Sequence, residues 1–292
     1  MVVCFGEILW DVLGDREMPG GAPMNVAYHL HKLGEMPTLL TRVGKDIRGD
    51  KLVDLLHAHH MNTDYIQSDK EIPTGVVYAT AGPGGEMHYD IVQPAAWDNI
   101  QPEVAAEKLV AESDFFVFGS LAARSQQSRS TLFRLLEIAP HKVLDINLRP
   151  PHFERRLIEE LLHKADTVKM NHAELELIAG WFATYERTED RMQLIRDRFN
   201  VASVITTMGG EGAMMNFEGN HFAHPGFRVT VADTIGSGDA FLAGLLAQII
   251  KGSPPDLALL FASALGALVT SRPGGWPAYS TEEIAAIINT GS

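Results

Sequence analysis

Residues 142–170, KVLDINLRPPHFERRLIEELLHKADTVKM, hold one full turn of the pattern that decides the fold. They read as a strand at 142–146, a helix at 153–163 and a second strand at 166–170. A strand, a helix and a strand in succession imply a parallel pair joined by a right-handed crossover. The alternation continues outward in both directions. Upstream lie a helix at 102–111, a strand at 114–118 and a helix at 125–138; downstream lie helices at 172–180 and 188–199 and a strand at 202–207. Strands at 212–217 and 221–224 follow, and helices at 237–251, 255–271 and 281–289 finish the chain.

The start of the chain obeys the same rule. VVCFGEIL (2–9) reads as a buried strand, and a helix opens at Ala22-Pro23, where proline suits a first turn, and ends at Gly34. A strand at 38–44 and a helix at 47–60 come next. Two stretches break the pattern. In 74–92, TGVVYATAGPGGEMHYDIV, two alternating strands flank Ala81-Gly82-Pro83-Gly84-Gly85, which predicts an antiparallel hairpin. WDVLGDREMPGGAP (10–23) is rich in glycine and proline, and reads as an excursion that supplies further strands to the same small sheet. Trp97 is read as the hairpin's anchor, with closure over a ligand as the alternative. No repeat, low-complexity tract or long linker appears, so 1–292 is read as one α/β domain with a doubly wound sheet. Its accessory sheet comes from about 9–21 and 72–97.

Composition narrows the partners. A formal net charge of −13 argues against broad binding to nucleic acid or anionic membranes, though not against phosphate ligands, which need only local donors. Cys4 is the single cysteine, so no internal disulfide forms, and its apolar neighbours predict an inert buried thiol. No signal peptide opens the sequence and no window reaches the ~20 apolar residues of a membrane span, so a cytoplasmic protein is expected.

The chemistry concentrates at Asp233-Thr234-Ile235-Gly236-Ser237-Gly238-Asp239, which runs directly into an apolar helix. Free N–H groups at a helix N-terminus converge on one point and bind anions, and glycines let the anion approach. A carboxylate at Asp239 repels phosphate there unless it has a task, and deprotonating an attacking hydroxyl is such a task. Taken alone, the stretch fits equally well a plain helix start with Asp239 as a favourable first-turn residue. Other polar groups gather at the strand ends. Asn25 falls in the first turn after Gly20-Gly21, as a capping residue or a ligand contact. Asp145 through Pro150 follow one strand. Asn171 and Glu174 follow the next, as a capping box or a functional pair. Thr207, Gly209 and Gly212 follow a third, as an ordinary turn or a nucleotide contact. Their joint placement at one sheet edge, where ligands of such sheets bind, favours the functional readings.

Three signals are rejected. Gly44-Lys45 lacks the upstream glycine and following hydroxyl of a P-loop, and Phe241 stands where a dinucleotide fingerprint needs its third glycine. His57, His59 and His60 have no partner at ligand spacing and read as a solvated helix end.

Together these residues resemble the PfkB carbohydrate kinases, the ribokinase-like family. Asp233 through Phe241 match that family's D-T-x-G-x-G-D-x-F loop, and Gly20 through Ala27 match G-G-x-x-x-N-x-A. Asn171 to Glu174 match N-x-x-E, and Thr207, Gly209 and Gly212 match T-x-G-x-x-G. The resemblance implies a Rossmann-like three-layer sandwich with a small β-lid, and transfer of the ATP γ-phosphate to a primary hydroxyl of a sugar. It makes Asp239 the base and the amides of Gly236, Ser237 and Gly238 the anion hole. Asp11, Gly20, Gly21 and Asn25 would bind the sugar. Asn171 and Glu174 would organise Mg²⁺ through water, and Thr207, Gly209 and Gly212 would lie along the nucleotide. Asp233 and the carbonyl of Ile235 match the K⁺ site of many relatives.

Gly20-Gly21-Ala22-Pro23 looks like a fructokinase, as does Asp145-Ile146-Asn147-Leu148-Arg149-Pro150. Kinases of 2-keto-3-deoxygluconate carry a similar segment, and a ribokinase is a further alternative. In a fructokinase or a 2-keto-3-deoxygluconate kinase, Arg149 would clamp the transferring phosphate or a substrate carboxylate. A base of ordinary carboxylate pKa is expected to suffice. An oxidoreductase is disfavoured by the missing fingerprint, and a non-catalytic sugar or nucleotide sensor by the intact Asp239 loop. The exposed lid could pair with a second copy's to give a homodimer.

Overall fold

The computed structural model describes residues 1–81 and 87–290. The first strand, β1 (Val2–Phe5), lies inside a nine-stranded sheet. On one side stand β4 (Pro37–Gly44) and β5 (Ile66–Asp69). On the other stand β8 (Phe115–Gly119), β9 (Lys142–Asp145), β10 (Thr167–Asn171) and β11 (Ser203–Thr207), every pair of them parallel. Two antiparallel strands, β12 (Ala213–Phe217) and β13 (Asn220–His224), complete that edge.

Alternation along the central strands divides the core. Val3, Phe5, Phe116, Phe118 and Leu144 face one layer, made of α3 (Val104–Ala111), α4 (Gln126–Leu136), α5 (Arg155–Lys164), α6 (His172–Gly180) and α7 (Thr188–Phe199). Val2, Cys4, Val117 and Val143 face the other, made of α1 (Ala22–Lys32), α2 (Ile47–Ala58), α8 (Ser237–Ile250), α9 (Pro255–Thr270) and α10 (Thr281–Thr290). Strands covered on both faces must be apolar throughout, which is why they read as continuous runs. The result is the expected three-layer α/β sandwich. Cys4 is fully buried and its thiol is pushed well above its ordinary pKa by that burial, so it stays protonated.

A second sheet stands apart. β2 (Leu9–Leu13), β3 (Arg16–Gly20), β6 (Gly75–Ala81) and β7 (Met87–Ile91) run in the order β3-β2-β6-β7. The strand read over 2–9 is therefore two. Gly6 adopts φ +141°, β1 ends before it, and the chain leaves the main sheet to enter the small one at Leu9. The turn read at Gly82–Gly85 lies outside the described residues. Strand β5 escaped the sequence reading because Ile66-Gln67-Ser68-Asp69 offers one apolar residue. Trp97 is the anchor it was read as: 1% exposed, it packs among Leu9, Val77, Ile91 and Leu121. Arg124 covers its ring at 4.0 Å while pairing with Asp98 at 2.8 Å, both side chains buried.

Candidate active site

Because six strand pairs run parallel, their carboxyl ends meet at one edge, and the chain delivers its reactive side chains there. Asp239 is the third residue of α8. Gly236 caps that helix at φ +74°, a left-handed conformation costly for any side chain. A Cβ on Gly236 would also lie 2.7 Å from Gly275 Cα. The amides of Gly238 and Asp239 open the helix, where no preceding carbonyl can pair with them. Ser237 is partly occupied: its N–H reaches Thr234 O at 3.4 Å and its hydroxyl donates to the same oxygen at 2.9 Å. Asp233 braces the turn, its Oδ1 accepting from Ile235 N and its Oδ2 from Gly274 N, each at 3.0 Å.

Asp239 itself is 8% exposed. Asn25 Nδ2 donates to its Oδ2 at 2.8 Å, and Trp276 Nε1 donates to Asn25 Oδ1 at 2.9 Å. Burial, and then the Asp145 carboxylate, push Asp239 up to about 6, against the pull of Lys169, the Asn25 bond and Arg149. Desolvation thus makes the Asp239 carboxylate more basic than the ordinary one that the sequence reading took to suffice.

Lys169 is one residue that sequence reading missed. It sits buried in β10, its Nζ bonded to Asp145 Oδ2 at 2.9 Å and Oδ1 at 3.1 Å. The same Nζ lies 2.9 Å from where a Cβ on Gly238 would stand, so an ammonium lies directly behind the anion loop. Burial works against its charge, but Asp145, Asp239 and Glu174 outweigh it and its pKa rises. A signal was available: Lys169 stands between Val168 and Met170, both fully buried, in a strand covered on both faces. Glu7 was missed too. It is 3% exposed and is pushed to about 7, first by burial.

A cavity of about 570 Å³ runs from the turn after β11 to the start of α8. Thr207, Gly209, Gly212, Ser237, Gly238 and Phe241 are among its walls. The turn reading holds as well, since Met208 N reaches Gly212 O at 2.8 Å and both glycines have positive φ. Asn171 and Glu174 stand outside that cavity. They form the capping box, Glu174 N to Asn171 Oδ1 at 2.9 Å and Asn171 N to Glu174 Oε2 at 2.8 Å. Glu174 Oε1 also accepts from Leu148 N at 2.7 Å, which ties α6 to the loop that carries Arg149.

On the other side of Asp239 lie the residues read as sugar contacts. The Asp11 carboxylate packs against Gly20, where a Cβ would collide with it. Gly21 has φ +114°, and the Glu7 carbonyl fills the place of its missing Cβ. Burial first, with Asp239 and Asp233 adding to it, raises Asp11 to about 6, while Arg149 lowers it. Arg149 is exposed and makes no ion pair among the described residues, yet its charge reaches Glu7, Asp11 and Asp239. Arg42, in contrast, pairs with Asp69 at 2.8 Å, away from these groups.

The histidines behave as structure. His57 Nε2 bonds Thr63 Oγ1 at 2.6 Å and His59 packs edge-on against Tyr28 and Trp276. Among the described residues no group of three or more side chains could hold a metal alone, and no helix is long and apolar enough to cross a membrane.

A desolvated carboxylate beside unpaired helix amides and a buried ammonium is machinery for moving a phosphoryl group. Comparison with known proteins agrees. Fructokinase-1 of Zea mays is 28% identical over 312 residues, covering 97% of this chain and 95% of that protein. The solved structure of a fructokinase with bound ATP from Xylella fastidiosa superposes with a TM-score of 0.88 at 24% identity, covering 99% of this chain and 98% of that one. A fructokinase from Vibrio cholerae O395 in its fructose, ADP and calcium ion bound form gives 0.84 at 24% identity, covering 98% of each. Residues 3–281 match the profile of the pfkB family carbohydrate kinases, and the chain belongs to that family. It is a phosphotransferase that acts on a sugar.

Proposed function

We propose that the chain transfers the γ-phosphate of ATP to the primary hydroxyl of D-fructose, giving fructose 6-phosphate. The observation that carries this reading is the place of Asp239. It stands between the cavity lined by Thr207, Gly209 and Gly212 and the sugar-side group Asp11, Gly21 and Asn25. ATP would fill the cavity, and the acceptor hydroxyl would meet Asp239 at its mouth. As the hydroxyl oxygen bonds to the γ-phosphorus and the bond to the β–γ bridging oxygen breaks, Asp239 takes the proton. The transition state carries its charge on the equatorial oxygens, where the loop amides would face it with Lys169 behind them. Glu174 and Asn171 fit a water-mediated Mg²⁺ site, since each Glu174 oxygen accepts one backbone N–H and keeps a lone pair. Bound there, Mg²⁺ would neutralise phosphate charge. The small sheet would act as a lid that keeps water from the γ-phosphate. Met18 of β3 supports this, its sulfur lying 3.4 Å from where a Cβ on Gly274 would be. Asp233 and the Ile235 carbonyl are our candidates for a K⁺ site beside the loop.

Fructose is favoured by the names of the relatives and by Gly20-Gly21-Ala22-Pro23. One observation favours a second reading. The guanidinium of Arg149, which donates to Leu148 O but makes no ion pair among the described residues, would receive the carboxylate of 2-keto-3-deoxygluconate. The test is a panel of fructose, ribose, glucose, adenosine and 2-keto-3-deoxygluconate with MgATP, run in potassium and in tetramethylammonium chloride. Fructose should give the highest kcat/KM, with phosphorus at C6 by NMR and faster turnover in potassium. A site built to bond hydroxyls rejects analogues that leave buried groups unpaired, by about 10⁴–10⁵-fold. A preference for the keto-acid overturns the fructose assignment.

A further inference from the structure

Trp276 belongs to none of the strands or helices, yet it is one residue removed from the base. Its indole N–H can only donate, so the Asn25 amide must turn its oxygen toward the ring. That choice aims the amide nitrogen at Asp239. The indole is itself held. It stacks on Tyr28 with centroids 4.2 Å apart and planes 10° from parallel, and His59 meets it edge-on at 5.6 Å. Gly275 lies against the amide, where a Cβ would sit 3.3 Å from Asn25 Nδ2. The peptide before Trp276 is fixed by buried His29, whose Nε2 meets Gly275 O and whose Nδ1 meets the Tyr279 hydroxyl, each at 3.0 Å. A carbonyl only accepts, so neutral His29 carries its proton on Nε2.

Without the indole donor, only the charge on Asp239 is left to choose between the two amide orientations. A flipped Asn25 would present its oxygen to the carboxylate, which an ionised Asp239 repels and a protonated one tolerates.

We propose that Trp276 is a positioning residue for phosphoryl transfer: through the Asn25 amide it holds Asp239 with Oδ2 occupied and Oδ1 free for the acceptor hydroxyl. This rests on Asp239 being the base. Charged groups facing Asp239 come from every neighbouring element: Glu7 after β1, Asp11 from β2, Asp145 from β9, Arg149 beyond it and Lys169 from β10. None of them changes when Trp276 is replaced by phenylalanine, which keeps the stack on Tyr28 and removes the N–H.

Trp276→Phe should lower kcat about tenfold, the worth of one hydrogen bond, with KM for sugar and ATP within about twofold. The acid limb of its pH–rate profile should move to higher pH, because the ionised base loses its donor. A second readout needs no turnover. The indole ¹H–¹⁵N resonance of Trp276, assigned through bonds, should titrate with the acid-limb midpoint in the wild type and stay flat in Asp239→Asn. His59 and His29 border the same loop, so a titration that persists in Asp239→Asn belongs to them and overturns the proposal. So does a Trp276→Phe enzyme with wild-type kcat and pH profile. If Asp239→Asn keeps full turnover, the base assignment itself falls. If Trp276→Phe folds poorly, the resonance in wild type and Asp239→Asn still decides.

Discussion

At the scale of single residues, the site asks one carboxylate to be both buried and charged. Asp239 titrates at about 6 in the folded protein against an ordinary 3.8. The native state therefore holds the proton more tightly than the unfolded chain does. The sign follows: the stabilising contribution of this group is full below pH 3.8, falls as pH rises, and is lost by the time pH passes 6. Asp239→Asn should lower kcat by about 10²–10⁴ while sugar KM changes little. It should also stabilise the fold by about 2–3 kcal/mol at pH 8 and hardly at all at pH 4, since each pKa unit is worth ~1.4 kcal/mol. Turnover assays and thermal melts at the two pH values check both halves; a variant that melts lower at pH 8 contradicts the burial argument. The Asp239 loop could be picked out by its glycines and spacing, Asn25 was even between a cap and a contact, and Asp11 entered only through the family resemblance. Lys169 and Trp276 were not legible, because one lies inside a strand and the other in a Gly-Pro loop whose partners are remote in the chain.

Among the elements, the junction of loop and α8 carries the phosphate chemistry, and Gly238 tests it. Alanine there would gain up to ~1 kcal/mol of helix propensity, but its Cβ would stand 2.9 Å from Lys169 Nζ. The ammonium must then shift within its buried pair with Asp145. We expect the melting temperature of Gly238→Ala to stay within a few degrees, with kcat/KM for ATP down about 100-fold, as for a lost oxyanion donor. Sugar affinity by calorimetry should hold within about twofold. Normal ATP turnover would show that the loop does not approach the phosphate. Most elements could be placed from pattern alone, because parallel strands covered on both faces have no polar face to blur them. The failures were local. Gly6 hides a change of sheet inside one apolar run, and β5 is an edge strand with little to bury. The Asn171–Glu174 pair shows a different limit: the capping box exists as drawn, and the role we propose for it toward metal-bound water cannot be told from a cap by spacing.

For the molecule as a whole, the small sheet leaves apolar surface on its cleft side. Register places Leu13 and Tyr89 on the same face as Asp11, and they are 43% and 52% exposed. We expect a second copy's small sheet to cover them. Sedimentation velocity at micromolar concentration should give twice 32.0 kDa, and Leu13→Glu with Tyr89→Glu should give a monomer. A wild-type monomer under those conditions rejects the arrangement.

The bonded chain Trp276–Asn25–Asp239 also sets a timetable. Its links join residues 214 and 251 positions apart, so the base is held only after Trp276 has left the ribosome. Contacts that distant form late, since loop closure must precede them. A nascent chain can lay down strands β1 through β11 and still lack both the carboxylate and the indole that aims it. The capacity for phosphoryl transfer thus waits for Asp239 and Trp276, and a chain that stops short of them would carry the sheet without the base and its support.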